Sequence, residues 1–213
     1  MWLLTAIISL LTTNLIFTYA LGTSTMLAAS RRRSSLPVLA VLMTVFSVVG
    51  CFAMQTLLFR LHLVELLVYP YSLGLPLVFT AVIGAVYLMV LLISGVFLKK
   101  KAGNYKKYIH LSAFNCAVMG TLYLAFSAGG PGQALTDAAQ IEVFGMLDVH
   151  MDEPLSAVLF GLQEGAGFLL ASLMLMPVRE RLNDTEVPEA FRGLPAVMVY
   201  IGILSMAVYA IAF

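Results

Sequence analysis

Four polar side chains with chemical potential lie within apolar stretches of the chain: Asn14, Asn115, Gln163 and Glu164. Each costs energy in a bilayer unless it faces protein or water. An intramembrane asparagine acts either as a hydrogen-bonding link between helices or as part of an ion path. Glu164 carries a proton or a cation, or it is a protonated acid that is hydrogen-bonded within the bundle. The residue types therefore leave ion movement and a structural role as the two readings.

The composition excludes a water-soluble globule. Of the 213 residues, 61% are hydrophobic and 11% charged, against about 45–50% and 25% in a soluble domain. The net charge of +1 gives no reason to expect a nucleic-acid partner. Cys51 and Cys116 are too few for a disulfide scaffold, and thiols in apolar stretches more often fill space than form bridges.

The apolar stretches predict six membrane-spanning helices in one membrane domain, residues 1–213. A helix needs about 20 apolar residues to cross the hydrocarbon core. The first stretch has no Lys or Arg before it and is too long for a signal core, so it is interpreted as a retained span. Leu61–Ser72, which contains Pro70, is expected to lie along the interface. The predicted spans are approximately 2–22, 36–58, 74–98, 108–126, 155–178 and 194–213.

The basic residues lie in alternate loops and thereby predict the orientation. Of the 12 Lys and Arg residues, only Arg60 falls outside the loops that follow the first, third and fifth spans. Because basic loops stay in the cytoplasm, both termini are expected outside. The outer loop 127–154 carries acidic residues and no Lys or Arg. Within it, Thr136–Leu147 is predicted to form a short surface helix with Thr136 as its cap.

Six spans divide at the Lys-rich loop into two halves, residues 1–103 and 104–213. An odd number of spans in each half forces the halves into opposite orientations. Asn14 and Asn115 occupy corresponding places in spans one and four, each with a glycine further on, Gly22 and Gly120. The predicted fold class is therefore an all-α integral membrane protein of two inverted three-helix repeats, a plan in which interrupted helices meet near the midplane.

Gly161 and Gly165 form a pair of small residues four positions apart in the fifth span. Small residues let two helix backbones approach closely in a membrane. The spacing predicts close helix packing and nothing catalytic.

Three groups of residues resemble the RnfA/NqrE family, the membrane subunits of the Rnf and sodium-translocating NADH:quinone oxidoreductase complexes. The loop before the last span is similar to the family's loop at the same place, and its Phe-Arg-Gly ending favours RnfA/NqrE over the sister subunits RnfE/NqrD. Span four carries the family's Asn-Cys motif, and Asn14 with Leu21-Gly22 resembles its span-one motif. The matching residues are Arg179-Glu180-Arg181-Leu182, Val187-Pro188, Phe191-Arg192-Gly193 and Asn115-Cys116-Ala117-Val118-Met119-Gly120.

The resemblance implies electron transfer coupled to ion movement in a bacterial or archaeal cytoplasmic membrane. In the family, this subunit and an RnfE/NqrD-like sister each supply two cysteines to one [2Fe–2S] cluster, which four thiolates complete. Cys116 matches one ligand position, and Ser24 stands at the other. Serine is a poor replacement for a soft thiolate. Ser24 and Cys116 can line one site only if span one breaks near Gly22 and Thr25–Ala29 folds back inward.

Two other functions remain as alternatives. In the first, the chain is a cluster-free carrier of ions or small solutes that uses Glu164, Asn14 and Asn115. In the second, it is a structural membrane subunit that holds partners together.

Overall fold

The computed structural model describes residues 2–12, 14–30, 35–60, 74–98, 102–127, 140–143, 147–150, 153–182, 188 and 192–212. The segment Leu61–Ser72, predicted to be interfacial, lies outside the described residues. So do most of the basic loops on which the predicted orientation depends.

Most of the described residues are helical, and two short strands form a hairpin. The helices are α1 (Trp2–Thr12), α2 (Leu15–Tyr19), α3 (Thr23–Ser30), α4 (Leu36–Gln55), α5 (Gly74–Leu98), α6 (Ala102–Ala113), α7 (Cys116–Ser127), α8 (Pro154–Leu182) and α9 (Leu194–Ala212). A π-helical turn, Thr56–Arg60, continues α4.

Four of the predicted spans are confirmed as helical segments long and apolar enough to cross a membrane. Among the described residues, these are Leu36–Leu58, Pro76–Val96, Tyr105–Phe126 and Pro154–Val178. The last predicted span forms a shorter apolar helix, Pro195–Ala210. The first, predicted over 2–22, is divided between α1 and α2, and α3 begins after its predicted end.

The outer loop contains a β-hairpin where a surface helix was predicted, and this prediction was wrong. Strand β1 (Gln140–Val143) pairs antiparallel with β2 (Leu147–His150). Ile141 and Val143 on β1 lie opposite Val149 and Leu147 on β2, and β-branched residues favour strands. Cross-strand pairing therefore outweighed the helical spacing of the apolar residues. Thr136, the predicted cap, lies outside the described residues.

Helices α4 and α8 form the most extensive contact in the bundle, and glycines make it possible. A Cβ at Gly161 would lie 2.6 Å from the Cα of Val48, and one at Gly165 would overlap Thr44. The predicted close packing is confirmed, and its partner is α4. Large side chains fill the core around this pair, among them Met43, Phe46, Phe79, Ile83 and Leu122.

The outer surfaces of α5 and α9 remain apolar. Leu77, Leu88 and Leu92 on α5 are at least 60% exposed, and Met206 on α9 is 67% exposed. Exposed apolar helix faces on such a scale suit contact with lipid tails. Both helices therefore lie at the periphery of the bundle.

Candidate functional site

The chain breaks between α1 and α2 at Asn14, which begins the second helix with its own side chain. Asn14 Oδ1 accepts a hydrogen bond from the Ile16 backbone N–H at 2.9 Å, the bond of an asparagine at a helix start. Its Nδ2 donates to the Gly167 carbonyl on α8 at 2.8 Å. Asn14 is 3% exposed. The break is therefore enclosed by protein, as irregular backbone inside a membrane must be.

Asn115 makes the equivalent break between α6 and α7. Its Oδ1 accepts from the Ala117 backbone N–H at 3.2 Å. Its Nδ2 donates to Thr25 Oγ1 on α3 and lies 3.4 Å from Met43 Sδ on α4. Asn115 is also 3% exposed. Each asparagine thus starts one helix and joins it to a distant one.

Span one breaks a second time at Gly22, between α2 and α3, and this break meets the Asn115 break at Cys116. The Gly22 backbone N–H donates to Cys116 Sγ across 3.0 Å. Gly22 has a φ of +80°, and a Cβ at this position would stand 2.8 Å from the Ala117 Cβ. Only glycine combines the left-handed conformation with so close an approach. Span one therefore breaks at Gly22, as the proposed ligand geometry required.

The residues after this break turn back into the protein. Thr25 and Met26 on α3 are 1% and 0% exposed, and α3 packs against α8 and α4. Thr25 Oγ1 also donates to the Gly22 carbonyl at 2.9 Å, which fixes the start of the helix. The hydroxyl of Thr25 thereby joins the break at Gly22 to the break at Asn115.

Cys116 and Ser24, the expected ligand positions, are both exposed side chains. Cys51 is buried in α4 and is 0% exposed, so its thiol is not available at the same surface. Among the residues that the structure describes, no group of three or more His, Cys, Asp or Glu side chains is arranged to hold a metal ion.

Glu164 on α8 lines a small cavity between both broken segments. The polar residues around the cavity are Asn14, Ser47, Thr121 and Glu164. Glu164 is 8% exposed, Ser47 3% and Thr121 1%. Asn115 is not in the lining, because Met43 and Ala117 occupy the wall on its side. The structure thus brings Asn14 and Glu164 to one cavity and leaves Asn115 at the neighbouring contact with Thr25.

Sequence reasoning missed the groups that complete these contacts. The Gly167 carbonyl, the Thr25 hydroxyl and the Met43 sulfur all bind the asparagines, and Ser47 and Thr121 line the cavity. A single hydroxyl or thioether in an apolar helix gives little signal. The one signal in the sequence was the recurrence of glycines close to Gly167, at Gly161 and Gly165.

The fold and these contacts define a multi-pass helical membrane protein whose interrupted helices pack around buried polar residues. The chain belongs to the Rnf-Nqr subunit family of membrane proteins, whose family model matches residues 2–145. The resemblance found in the Asn-Cys and Leu-Gly motifs is thereby confirmed.

Several relatives are named as the A-type subunit of an ion-translocating oxidoreductase complex. The protein of Aromatoleum aromaticum is 33% identical over 100 residues, and that of Cereibacter sphaeroides 31% over 100 residues. A third, from Glaesserella parasuis, is 29% identical over 101 residues. Each match covers 47% of this chain and 40% of the relative's length. The names agree with the RnfA branch of the family.

Proposed function

We propose that this chain is the A-type membrane subunit of an Rnf/Nqr-type complex, which couples electron transfer to ion translocation. The observation that carries the proposal is Cys116, exposed and hydrogen-bonded to Gly22 where two interrupted helices meet, in a chain of this family. The chain acts as one subunit of a translocase in a bacterial or archaeal cytoplasmic membrane. We assign no catalytic residue to it alone.

The proposed arrangement in the membrane is six spans in two inverted halves, with both termini outside. The paired breaks support it: Asn14 and Asn115 each accept a hydrogen bond from the backbone N–H two residues on. They stand at the same place in the first span of each half. Two halves with this property form a site where their broken helices meet.

The proposed cofactor is a [2Fe–2S] cluster shared with an RnfE/NqrD-like sister subunit, which supplies a carrier for one electron at a time. On this chain, Cys116 offers a thiolate and Ser24 a hydroxyl oxygen. The Gly22 N–H that reaches Cys116 Sγ is the kind of hydrogen bond that tunes a sulfur ligand. The oxygen of Ser24 is harder than sulfur and fits iron–sulfur ligation poorly. The residues present therefore fit three thiolates and one oxygen, provided that the sister supplies two cysteines.

Iron analysis of the complex tests the proposal. The chain is co-expressed with its sister subunit, and iron, acid-labile sulfide and the EPR signal of the reduced complex are measured. We expect two iron atoms per complex and a [2Fe–2S] signal. A folded complex without iron would remove the redox role.

Three substitutions locate the cluster on this chain. Cys116→Ala should abolish the iron signal, because it removes the exposed thiolate. Ser24→Cys should retain the iron and make the cluster more resistant to chelators, since a fourth soft ligand replaces an oxygen. Cys51→Ala is the matched control: its thiol is buried in α4, and the iron content should stay unchanged.

A cluster-free carrier is the second candidate, and the serine at position 24 favours it. In this case the proposed ion path runs through Glu164, Asn14 and Asn115, which lie at the two breaks and at the cavity between them. Glu164→Gln should then abolish ion flux in proteoliposomes. Unaltered flux, together with an iron-free complex, would leave a structural subunit.

A further inference from the structure

Glu164 is an acidic side chain whose negative charge is not balanced by a positively charged residue among those that line its cavity. It lies in the middle of α8 and is 92% buried, since 8% of its surface is exposed. Among the described residues, its carboxyl group forms no hydrogen bond or ion pair. Burial of a carboxylate without a partner is expensive, so the group either takes up a proton or pairs with a bound cation.

The cavity beside Glu164 contains oxygen atoms that can face such a charge. Ser47 on α4 and Thr121 on α7 line it together with Asn14. The Thr121 hydroxyl donates to the Ala117 carbonyl at 2.9 Å, which leaves the lone pairs of its oxygen available. Asn14 Oδ1 accepts one bond from Ile16 and can accept a second. Each of these side chains can offer an oxygen atom as a ligand, and hard cations prefer oxygen ligands.

The size and charge of the cavity restrict what it can hold. Its volume of about 10 Å³ is close to that of one water-sized probe, so a hydrated ion or an organic solute does not fit. One carboxylate balances one positive charge, and a divalent ion would leave a net charge buried in a medium of low dielectric constant. A further ionisable group close to Glu164 is the buried thiol of Cys51 on α4, which carries no positive charge. None of the lining residues is a Lys, Arg or His.

We propose that Glu164, with oxygens of Asn14, Ser47 and Thr121, forms a binding site for one small monovalent cation, Na⁺ or a proton carried on the carboxyl group. The site lies between helices of both halves, α4 of the first and α7 and α8 of the second. This site rests on the proposed ion path through Glu164 and Asn14, and it names the kind of ion that the path would bind. It does not depend on whether a cluster is bound at Cys116.

Carbodiimide labelling of the full chain in membranes tests the site. Dicyclohexylcarbodiimide reacts with protonated carboxyl groups in apolar surroundings, and mass spectrometry of peptides identifies the residue modified. Labelling is followed from about pH 5 to about pH 9, a range that spans the ionisation of buried carboxyl groups, with Na⁺ or K⁺ added. Iron content is measured on the same preparation, so that loss of the cluster is recorded separately.

Two results support the proposal and identify the ion. If Na⁺ binds, it slows labelling of Glu164 by about tenfold or more, and K⁺, which is larger, does not. If only a proton binds, labelling falls as the pH rises and Na⁺ has no effect. An adduct that responds to neither pH nor Na⁺, or no adduct at Glu164, would overturn the site.

Variants separate cation binding from packing. Glu164→Gln should abolish the adduct. If Na⁺ is the ion, Ser47→Ala and Thr121→Val should each raise the Na⁺ concentration needed to protect Glu164 from labelling. We expect a rise of about tenfold, which is equivalent to about 1.4 kcal/mol for one lost ligand. Glu153→Gln, at an exposed carboxylate just before α8, is the control and should leave labelling of Glu164 unchanged. Unchanged Na⁺ protection in both hydroxyl variants would overturn the ligand assignment.

Discussion

Asn14 and Asn115 perform the same local task at two distant positions. An asparagine inside a helix competes for backbone hydrogen bonds, and its carbonyl oxygen can start a new helix two residues on. In water this would be a minor preference. Within a membrane the freed backbone groups have no solvent partner, so each break exists only because the rest of the protein encloses it.

The hydrogen bonds of Asn14 have a measurable effect on stability. Asn14→Ala removes the bond to the Ile16 N–H and the bond to the Gly167 carbonyl, and we expect a loss of about 1–3 kcal/mol. Thermal unfolding in detergent measures it. Thr80→Ala is the control, because the exposed Thr80 hydroxyl bonds to Pro76 in its own helix. Equal stability of Asn14→Ala and wild type would contradict this role.

Gly22 is the residue whose conformation the site depends on most directly. Gly22→Ala places a methyl group 2.8 Å from the Ala117 Cβ at a φ of +80°, and the left-handed conformation alone costs about 1–2 kcal/mol. We expect lower thermal stability, since the bond between the Gly22 N–H and Cys116 Sγ is also strained or lost. Gly84→Ala, with open space around the added methyl group, should be neutral or slightly stabilising. If both variants behave alike, the close approach is not needed.

At the scale of elements, the contact between α4 and α8 holds the two halves of the cavity wall together. Ser47 is one residue from Val48, and Val48 packs against Gly161. Glu164 lies one turn from Gly161 on the same helix. The small residues therefore determine how closely the carboxyl group and the hydroxyl of Ser47 approach.

A methyl group at Gly161 should separate these helices. Gly161→Ala places its Cβ 2.6 Å from the Val48 Cα, and a backbone atom cannot move aside as a flexible side chain can. We expect destabilisation of about 1–3 kcal/mol in thermal unfolding. Gly202→Ala on α9 has no atom within 4 Å of the new methyl group and serves as the control. A stable Gly161→Ala variant would place the helices farther apart than described.

The hairpin shows where local patterns mislead. Ile141 and Phe144 share a helical spacing with Leu147, yet Ile141 pairs with Val149 on the neighbouring strand. The strand partner of a residue lies outside any short sequence window, and pairing with it changed the preferred structure. The long spans were predictable because a bilayer imposes one length and one polarity on every helix that crosses it.

At the scale of the whole molecule, the charges define a testable orientation. Eleven of the 12 basic residues belong to alternate loops, so both ends of the chain should face away from the cytoplasm. Alkaline phosphatase fused after Phe213, or within the outer loop 127–154, should be active. The same enzyme fused after Lys101 should be inactive. Activity in the reverse pattern would invert the proposed topology.

The sequence by itself determined the class of protein and four of the approximate spans, because hydropathy is a local property. It marked Asn14 and Asn115 as corresponding positions but placed no helix break at either. The tertiary structure alone decided which distant groups meet. Asn14 bonds to a carbonyl 153 residues away, and Gly22 to a thiol 94 residues away. The same packing exposes Cys116 and Ser24, and it buries Glu164 beside a cavity. Such contacts depend on how helices pack in three dimensions, and no pattern along the chain specifies them.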